Sequence, residues 1–290
     1  MKTRNIGTRT VSAIGLGGMP VSIEGRPDRA RAIATVHAAL DAGVTFIDTA
    51  DSYHIGADEV GHNETLIAEA LRTYGSDTSG VLVATKGGHL RPGDGSWTVN
   101  GAPDYLKAAC EASARRLGVE SIGLYQFHRP DPNVPYADSV GALAELLDAG
   151  TIRMAGISNA DPDQIRLADE VLGGRLVSVQ NQFSPQFRSS EPEMALCTEL
   201  GIAFLPWSPL GGIGLSRRLG PAPAVFDEVG HALGVSPQQV ALAWMLAKSP
   251  VVIPIPGSSR PETVRDSVAA ADLQLDQDQL DRLDDVTNTD

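Results

Sequence analysis

Lysine, cysteine, positive charge and long apolar runs are all scarce in this sequence, and each scarcity narrows what the chain can be. No segment approaches the roughly 18 apolar residues that a membrane-spanning helix needs. The opening "MKTRNIGTRT" lacks the apolar core of a secretion signal. A soluble cytoplasmic protein is the expectation. Two cysteines are present, Cys110 and Cys197, both in helix-like stretches and not at metal-ligand spacing. Neither a disulfide framework nor a zinc site is expected. The balance of 23 Lys and Arg against 36 Asp and Glu leaves a net charge of −13. The isoelectric point is near 4.8. Such a surface repels nucleic acid and anionic lipid, so neither is expected as a partner. It leaves room for one local basic pocket that binds a phosphorylated cofactor. Only four residues are lysine (Lys2, Lys86, Lys107 and Lys248), which makes a mid-chain lysine conspicuous. The G-x-G-x-x-G fingerprint of an open dinucleotide-binding sheet is also missing. "GLGGMP" at 15–20 puts Pro20 where its last glycine would stand.

What is present is an alternation. Eight short apolar runs occur at 11–16, 44–47, 81–85, 122–127, 152–157, 176–180, 202–207 and 251–255, with Ala-rich helical stretches between many of them. In 29–41, Ile33, Val36, His37 and Leu40 share one helix face; in 236–248, Val240, Ala243, Trp244 and Ala247 do the same. Glycine stands at three helix-to-strand joints, Gly43, Gly150 and Gly201. "DPDQ" (161–164), "SPQQ" (236–239) and "SRPE" (259–262) each offer a helix cap with Glu or Gln three residues on. No linker interrupts the chain. The pattern predicts one α/β domain over residues 1–290, a (β/α)8 barrel. An N-terminal β-hairpin near "GTRTVSA" covers its bottom, and extra C-terminal helices include one at 276–286.

In such a barrel the chemistry gathers where strands end. The residues after the second, third and fourth runs are Asp48 (with Tyr53 in its loop), Lys86 and His128. Taken singly, each is explained by backbone satisfaction or a salt bridge. Together they form a general-acid set. A free tyrosine titrates near pH 10 and is a poor acid; the cation of Lys86 would lower that value. Asp48 would hold Lys86 charged, and His128 would orient a carbonyl oxygen.

With these residues in place, the sequence resembles the aldo-keto reductase superfamily. The likeness runs through "IGLGGMP", "GVTFIDTADSY", "VATKGG", "YQFHRPDP", "RMAGISN", "VQNQFS", "WSPLGG" and "IPIPGSSRPETV", essentially the whole chain. The resemblance implies a (β/α)8 barrel that reduces aldehydes and ketones with NADPH. The family's catalytic tetrad falls on Asp48, Tyr53, Lys86 and His128. The cofactor would contact Gly18, Met19 and Asp48. Ser158, Asn159 and Gln180 would hold its carboxamide. Trp207 would stack on its ring, followed by Ser208, Pro209 and Leu210. Its phosphate would lie on Gly257, Ser258, Ser259 and Arg260, at a helix start suited to an anion, with Asp266 and Ser267 near the adenine. The Arg260 guanidinium would favour NADP over NAD.

The loops 54–64, 87–103 and 129–136 would wall the substrate pocket, with Met19, Val21, His54, Trp97 and His128 as candidates. His54 and His62 are not at metal spacing, so no metal is expected. The chain stops soon after 286, which suggests an open pocket. A small-molecule carbonyl substrate and a monomer are expected. The strand-two loop and "GGHLRPGDGSW" lean towards the bacterial pyridoxal-reductase-like branch. Two other readings stand beside reduction: an alcohol dehydrogenase working oxidatively, and a cofactor-bound regulator resembling potassium-channel β-subunits.

Overall fold

The computed structural model describes residues 1–212 and 224–285. The chain begins with an antiparallel hairpin, β1 (Thr3–Ile6) and β2 (Arg9–Ser12). Seven parallel strands follow in spatial sequence: β3 (Leu16–Gly17), β4 (Phe46–Asp48), β5 (Leu82–Gly87), β8 (Leu124–Phe127), β9 (Ala155–Ser158), β10 (Leu176–Gln180) and β11 (Ala203–Phe204). Between β5 and β8 lies a second, small hairpin, β6 (His89–Leu90) and β7 (Thr98–Val99). The apolar run at 11–16 is thus shared between the first hairpin and the first barrel strand.

The eighth stave is the extended segment 251–257, and prolines shape how it joins. Ile253 and Ile255 donate their amides to Phe204 O and Pro206 O on one side. On the other, Pro254 O and Pro256 O accept from Gly15 and Gly17. A proline has no N–H to return, so this seam carries hydrogen bonds in one direction. Bridges Phe204 to Val252 and Gly17 to Gly257 close the ring. Packing at the closure is tight. A Cβ on Gly17 would stand 2.7 Å from Ile255 O.

The barrel interior is filled by Phe46, Leu82, Leu124, Met154, Leu205, Ile253 and Ile255, and Ile6 and Val11 of the first hairpin pack into the same cluster. Burying each of these two side chains contributes about 1.5–3 kcal/mol, and together they stopper the bottom of the barrel. Outside, helices cover the sheet. They include α1 (Arg29–Asp41), α2 (His62–Thr73), α3 (Pro103–Leu117), α4 (Tyr136–Asp148), α5 (Pro162–Val171) and α6 (Glu191–Leu200). Then come α7 (Ala224–Leu233), α8 (Pro237–Lys248), α9 (Pro261–Ala269) and α10 (Gln277–Asp285). The last residue expected for α10, 286, lies outside the described residues. Beneath α8, Trp244 stacks on Phe183 at 5.7 Å and meets Phe226 edge-on.

The caps are more varied than the sequence pattern. Asp161 and Gln164 form the full reciprocal box at α5. Ser236 caps α8, but Gln239 turns its amide to Asp266 instead of back to the cap. The "SRPE" box does not form. Arg260 takes the N-cap position of α9 with no side-chain cap, and its amide is held by Ser258 Oγ. Both cysteines are buried and unpaired. Among the described residues no helix is long and apolar enough to cross a membrane.

Candidate active site

Parallel register decides which side chains meet. Asp48 pairs with Ala84, so Lys86 lies one pleat further along β5 on the same face. Gln180 pairs directly with Ser158. Lys86 ends fully buried, and its Nζ makes three hydrogen bonds: to Asp48 Oδ2 at 2.7 Å, Thr49 O at 2.9 Å and Tyr53 Oη at 3.0 Å. The other carboxylate oxygen of Asp48 accepts from Gln180 Nε2 at 2.8 Å. An ammonium this deep is expensive unless it is paired and hydrogen-bonded, and here all three of its protons have acceptors. His128, fixed by its backbone amide to Gly87 O, sets its ring edge-on to Tyr53 with centroids 5.8 Å apart.

Burial pulls the Lys86 ammonium down, but Asp48 and Tyr53 outweigh it and leave it above its ordinary value. For Tyr53 the outcome differs from the expectation of a lowered value. Burial pushes the phenol up, and the pull of Lys86 does not overcome it. Tyr53 therefore keeps its proton at neutral pH. Burial, helped by Lys86, His89 and Arg129, holds His128 well below the usual imidazole range. It is neutral, with one N–H to donate, and its Nδ1 is buried without a partner.

These groups open into a cavity of about 750 Å³, a size common for cofactor and substrate sites. Of the residues singled out in the sequence, Asp48, Tyr53, His128, Met19, Trp97, Ser158, Asn159, Gln180, Trp207, Ser208, Pro209 and Leu210 line it, as do Gly257, Ser258, Ser259 and Arg260. Others lie outside it. Lys86 sits beneath the wall. Gly18 donates its amide to Asp48 O. Val21 is buried in the cluster with Leu16 and Val36. His54 is buried with Nδ1 on Gly56 O. Asp266 ties α9 to α8 through Ser236 and Gln239, and Ser267 is buried apart from the cavity. No metal-holding group of acids, histidines and cysteines occurs among the described residues; His62 is bonded to Ser22 Oγ.

The cavity fits a nicotinamide dinucleotide in its space and its donors. Trp207 presents a partly buried ring whose Nε1 has no partner. Asn159 and Ser208 hold positive φ of 58° and 50°, uncommon for residues other than glycine. Asn159 is fixed there by Nδ2 hydrogen bonds to His128 O and Ser158 Oγ. Arg260 stays half exposed, and among the described residues its guanidinium has one ion-pair contact, to Glu262 at 3.7 Å. Gln180 gives an amide proton to Asp48 and still lines the cavity with the rest of its side chain.

Three groups lie in the loops expected to wall the pocket but were not singled out from the sequence. His89 stacks on Trp97 at 4.6 Å and meets His128 edge-on at 4.9 Å. Arg91 lies over the same Trp97 side chain, 4.9 Å from its ring centroid. It bonds to His54 O and Glu24 and so pins the second hairpin to the Tyr53 loop. Arg129 lines the cavity next to His128. The position of His89, three residues after Lys86, was the available hint for the first.

The model of the "Aldo/keto reductase family" matches residues 13–288. An uncharacterized oxidoreductase of Schizosaccharomyces pombe is 38% identical over 286 residues, covering 97% of this chain and 89% of that one. Pyridoxine 4-dehydrogenase of Escherichia coli is 32% identical over 297 residues, 98% of each chain. The crystal structure of an aldo/keto reductase from Klebsiella pneumoniae in complex with NADP and acetate superposes with a TM-score of 0.81. It is 27% identical and covers 99% of this chain and 95% of its own.

Proposed function

Because this chain belongs to the aldo/keto reductase family, oxidoreductases that interconvert carbonyl and alcohol groups with a nicotinamide cofactor, we propose that it reduces an aldehyde or ketone with NADPH, using Tyr53 as general acid. The observation that carries this reading is the placement of Lys86 Nζ within hydrogen-bond reach of both Asp48 and Tyr53, at the edge of a cavity that His128 also lines.

Bound cofactor supplies the hydride; the protein's own groups do the rest. Tyr53 Oη gives its proton to the carbonyl oxygen as that oxygen gains alkoxide character. An alkoxide is far more basic than a phenolate, so a phenol raised by burial still delivers its proton. Lys86 stabilises the phenolate left behind, and Asp48, steadied by Gln180, keeps the ammonium aimed. The neutral His128 donates its N–H to the same oxygen and orients it. Ser158, Asn159, Gln180 and Trp207 are proposed to hold the nicotinamide end. Gly257, Ser258, Ser259 and Arg260 are proposed to hold the phosphate end, with Arg260 setting the NADP preference. The whole chain, residues 1–290, works in this reading as one cytoplasmic, monomeric unit.

The test is steady-state oxidation of NADPH, and separately NADH, with 4-nitrobenzaldehyde, methylglyoxal, several aldoses and one bulky ketone. Pyridoxal joins them because a relative is a pyridoxine dehydrogenase. Tyr53→Phe is expected to lower kcat by roughly 10²–10⁴ while leaving NADPH affinity in place. A variant that keeps most of its turnover would overturn the assignment of the acid.

A further inference from the structure

The charges around the catalytic end of the cavity are matched, with one exception. Lys86 is paired with Asp48, and Arg91 with Glu24. Arg129, which lines the cavity immediately after His128, makes no ion pair among the described residues. Its described partner is a single neutral oxygen, Asn159 Oδ1, at 3.3 Å from Nη2. Its Nε is buried and has no partner at all. The nearby carboxylate of Asp131 is already spent on the Gly101 amide and on Asn133. His89 and His128 offer no negative charge either. Burial holds His89 down to about 4 and His128 well below its usual range, and the field of Arg129 acts on both rings. An uncompensated guanidinium therefore stands among neutral rings in the wall of a cavity, in a chain whose net charge is −13.

Guanidinium is the side chain best shaped to take two oxygens of a carboxylate or phosphate at once. A buried, unsatisfied N–H on a charged group is costly to leave unmade, so its retention beside the reacting centre asks for a ligand. We propose that Arg129 is a substrate-binding residue that receives an anionic oxyacid group, carboxylate or phosphate, carried by the carbonyl substrate. The inference rests on the carbonyl-reductase reading above and deepens it by naming a substrate class. Arg129 acts electrostatically on both His89 and His128, and His128 is the residue proposed above to orient the carbonyl oxygen.

The experiment compares charged and neutral aldehydes of like size with NADPH. Succinic semialdehyde is set against butanal, and glyceraldehyde 3-phosphate against glyceraldehyde, in the native protein, Arg129→Met and Arg129→Lys. Loss of a charge-assisted pair should raise KM for the favoured anionic aldehyde roughly 10- to 100-fold in Arg129→Met, with neutral aldehydes within about 3-fold. Arg129→Lys should recover part of the loss, and NADPH affinity, read by tryptophan quenching, should change far less than KM for the anionic aldehyde, because Asn159 keeps its Nδ2 bonds to His128 O and Ser158 Oγ. An effect on the carboxylate alone or the phosphate alone identifies which group the site takes. Equal losses on charged and neutral substrates, or a loss confined to NADPH affinity, overturn the proposal. Neutral turnover that Tyr53→Phe abolishes keeps the reductase reading standing whatever Arg129 shows. Should none of these aldehydes turn over, calorimetric titration of butyrate and inorganic phosphate into the NADP+-loaded protein reads the same site. Binding weakened by Arg129→Met supports the proposal; binding equal in both proteins, or absent from both, overturns it.

Discussion

Asp51 lies two residues before Tyr53, is buried, and leaves Oδ1 without a partner. Burial, reinforced by Glu64, pushes its carboxyl up to about 8. Glu64 is equally buried but answered by Arg116 and Thr85. The folded-state value of Asp51 stands above the unfolded one. The stability it permits is therefore complete below about pH 4 and drains away as pH rises towards about 8. Asp51→Asn should thus stabilise the protein more at pH 9 than at pH 5, by several kcal/mol at the upper end. Urea midpoints at the two pH values check this, and equal gains would refute a neutral buried carboxyl. The same quoted stretch, "DTADSY", shows what the sequence could and could not reveal. Asp48 was legible because a carboxylate that ends an apolar strand stands out against its neighbours. Asp51 was not, because burial of a loop residue depends on α2 and α3 packing over it. The direction of the Tyr53 shift failed for a related reason. A neighbouring cation can be read from spacing, but its weight against burial cannot.

Whole strands and helices were read more securely than their ends, because periodicity integrates over many residues while a cap hangs on one rotamer. Asp161 gave its full box; Gln239 found a better partner across the α8–α9 contact. The eighth stave was visible as an apolar run, yet Pro254 and Pro256 keep it from making a two-way ladder. That places unusual weight on close packing at Gly17. Gly17→Ala should cost about 1–3 kcal/mol through overpacking against Ile255 O, seen as a lower denaturation midpoint. Because β3 leads directly to the cavity residue Met19, it should also impair cofactor binding. Unchanged stability would show that the seam relaxes freely. The hairpin of β6 and β7 was the element least legible in advance. It lies in a turn-rich loop whose order comes from Arg91 reaching His54 O and Glu24, contacts between distant parts of the chain.

For the molecule as a whole, a cofactor that binds only the folded barrel must stabilise it. At a hundred times its Kd the gain is about 2.7 kcal/mol. NADPH should therefore raise Tm by several degrees, and NADH by less at equal concentration. In Arg260→Ala the two should converge. An unchanged difference between them would remove Arg260 from the phosphate site. The (β/α)8 architecture itself was readable from eight runs and their spacing, since the alternation repeats around the entire ring. The hairpin at the N-terminus has a consequence that reaches past stability. With Ile6 and Val11 packed into the barrel-interior cluster, the described residues fill the barrel below the site, and the cavity lies above them. On the proposed function, the deeper-lying of cofactor and carbonyl compound is expected to bind first and leave last, an order that product-inhibition patterns would read.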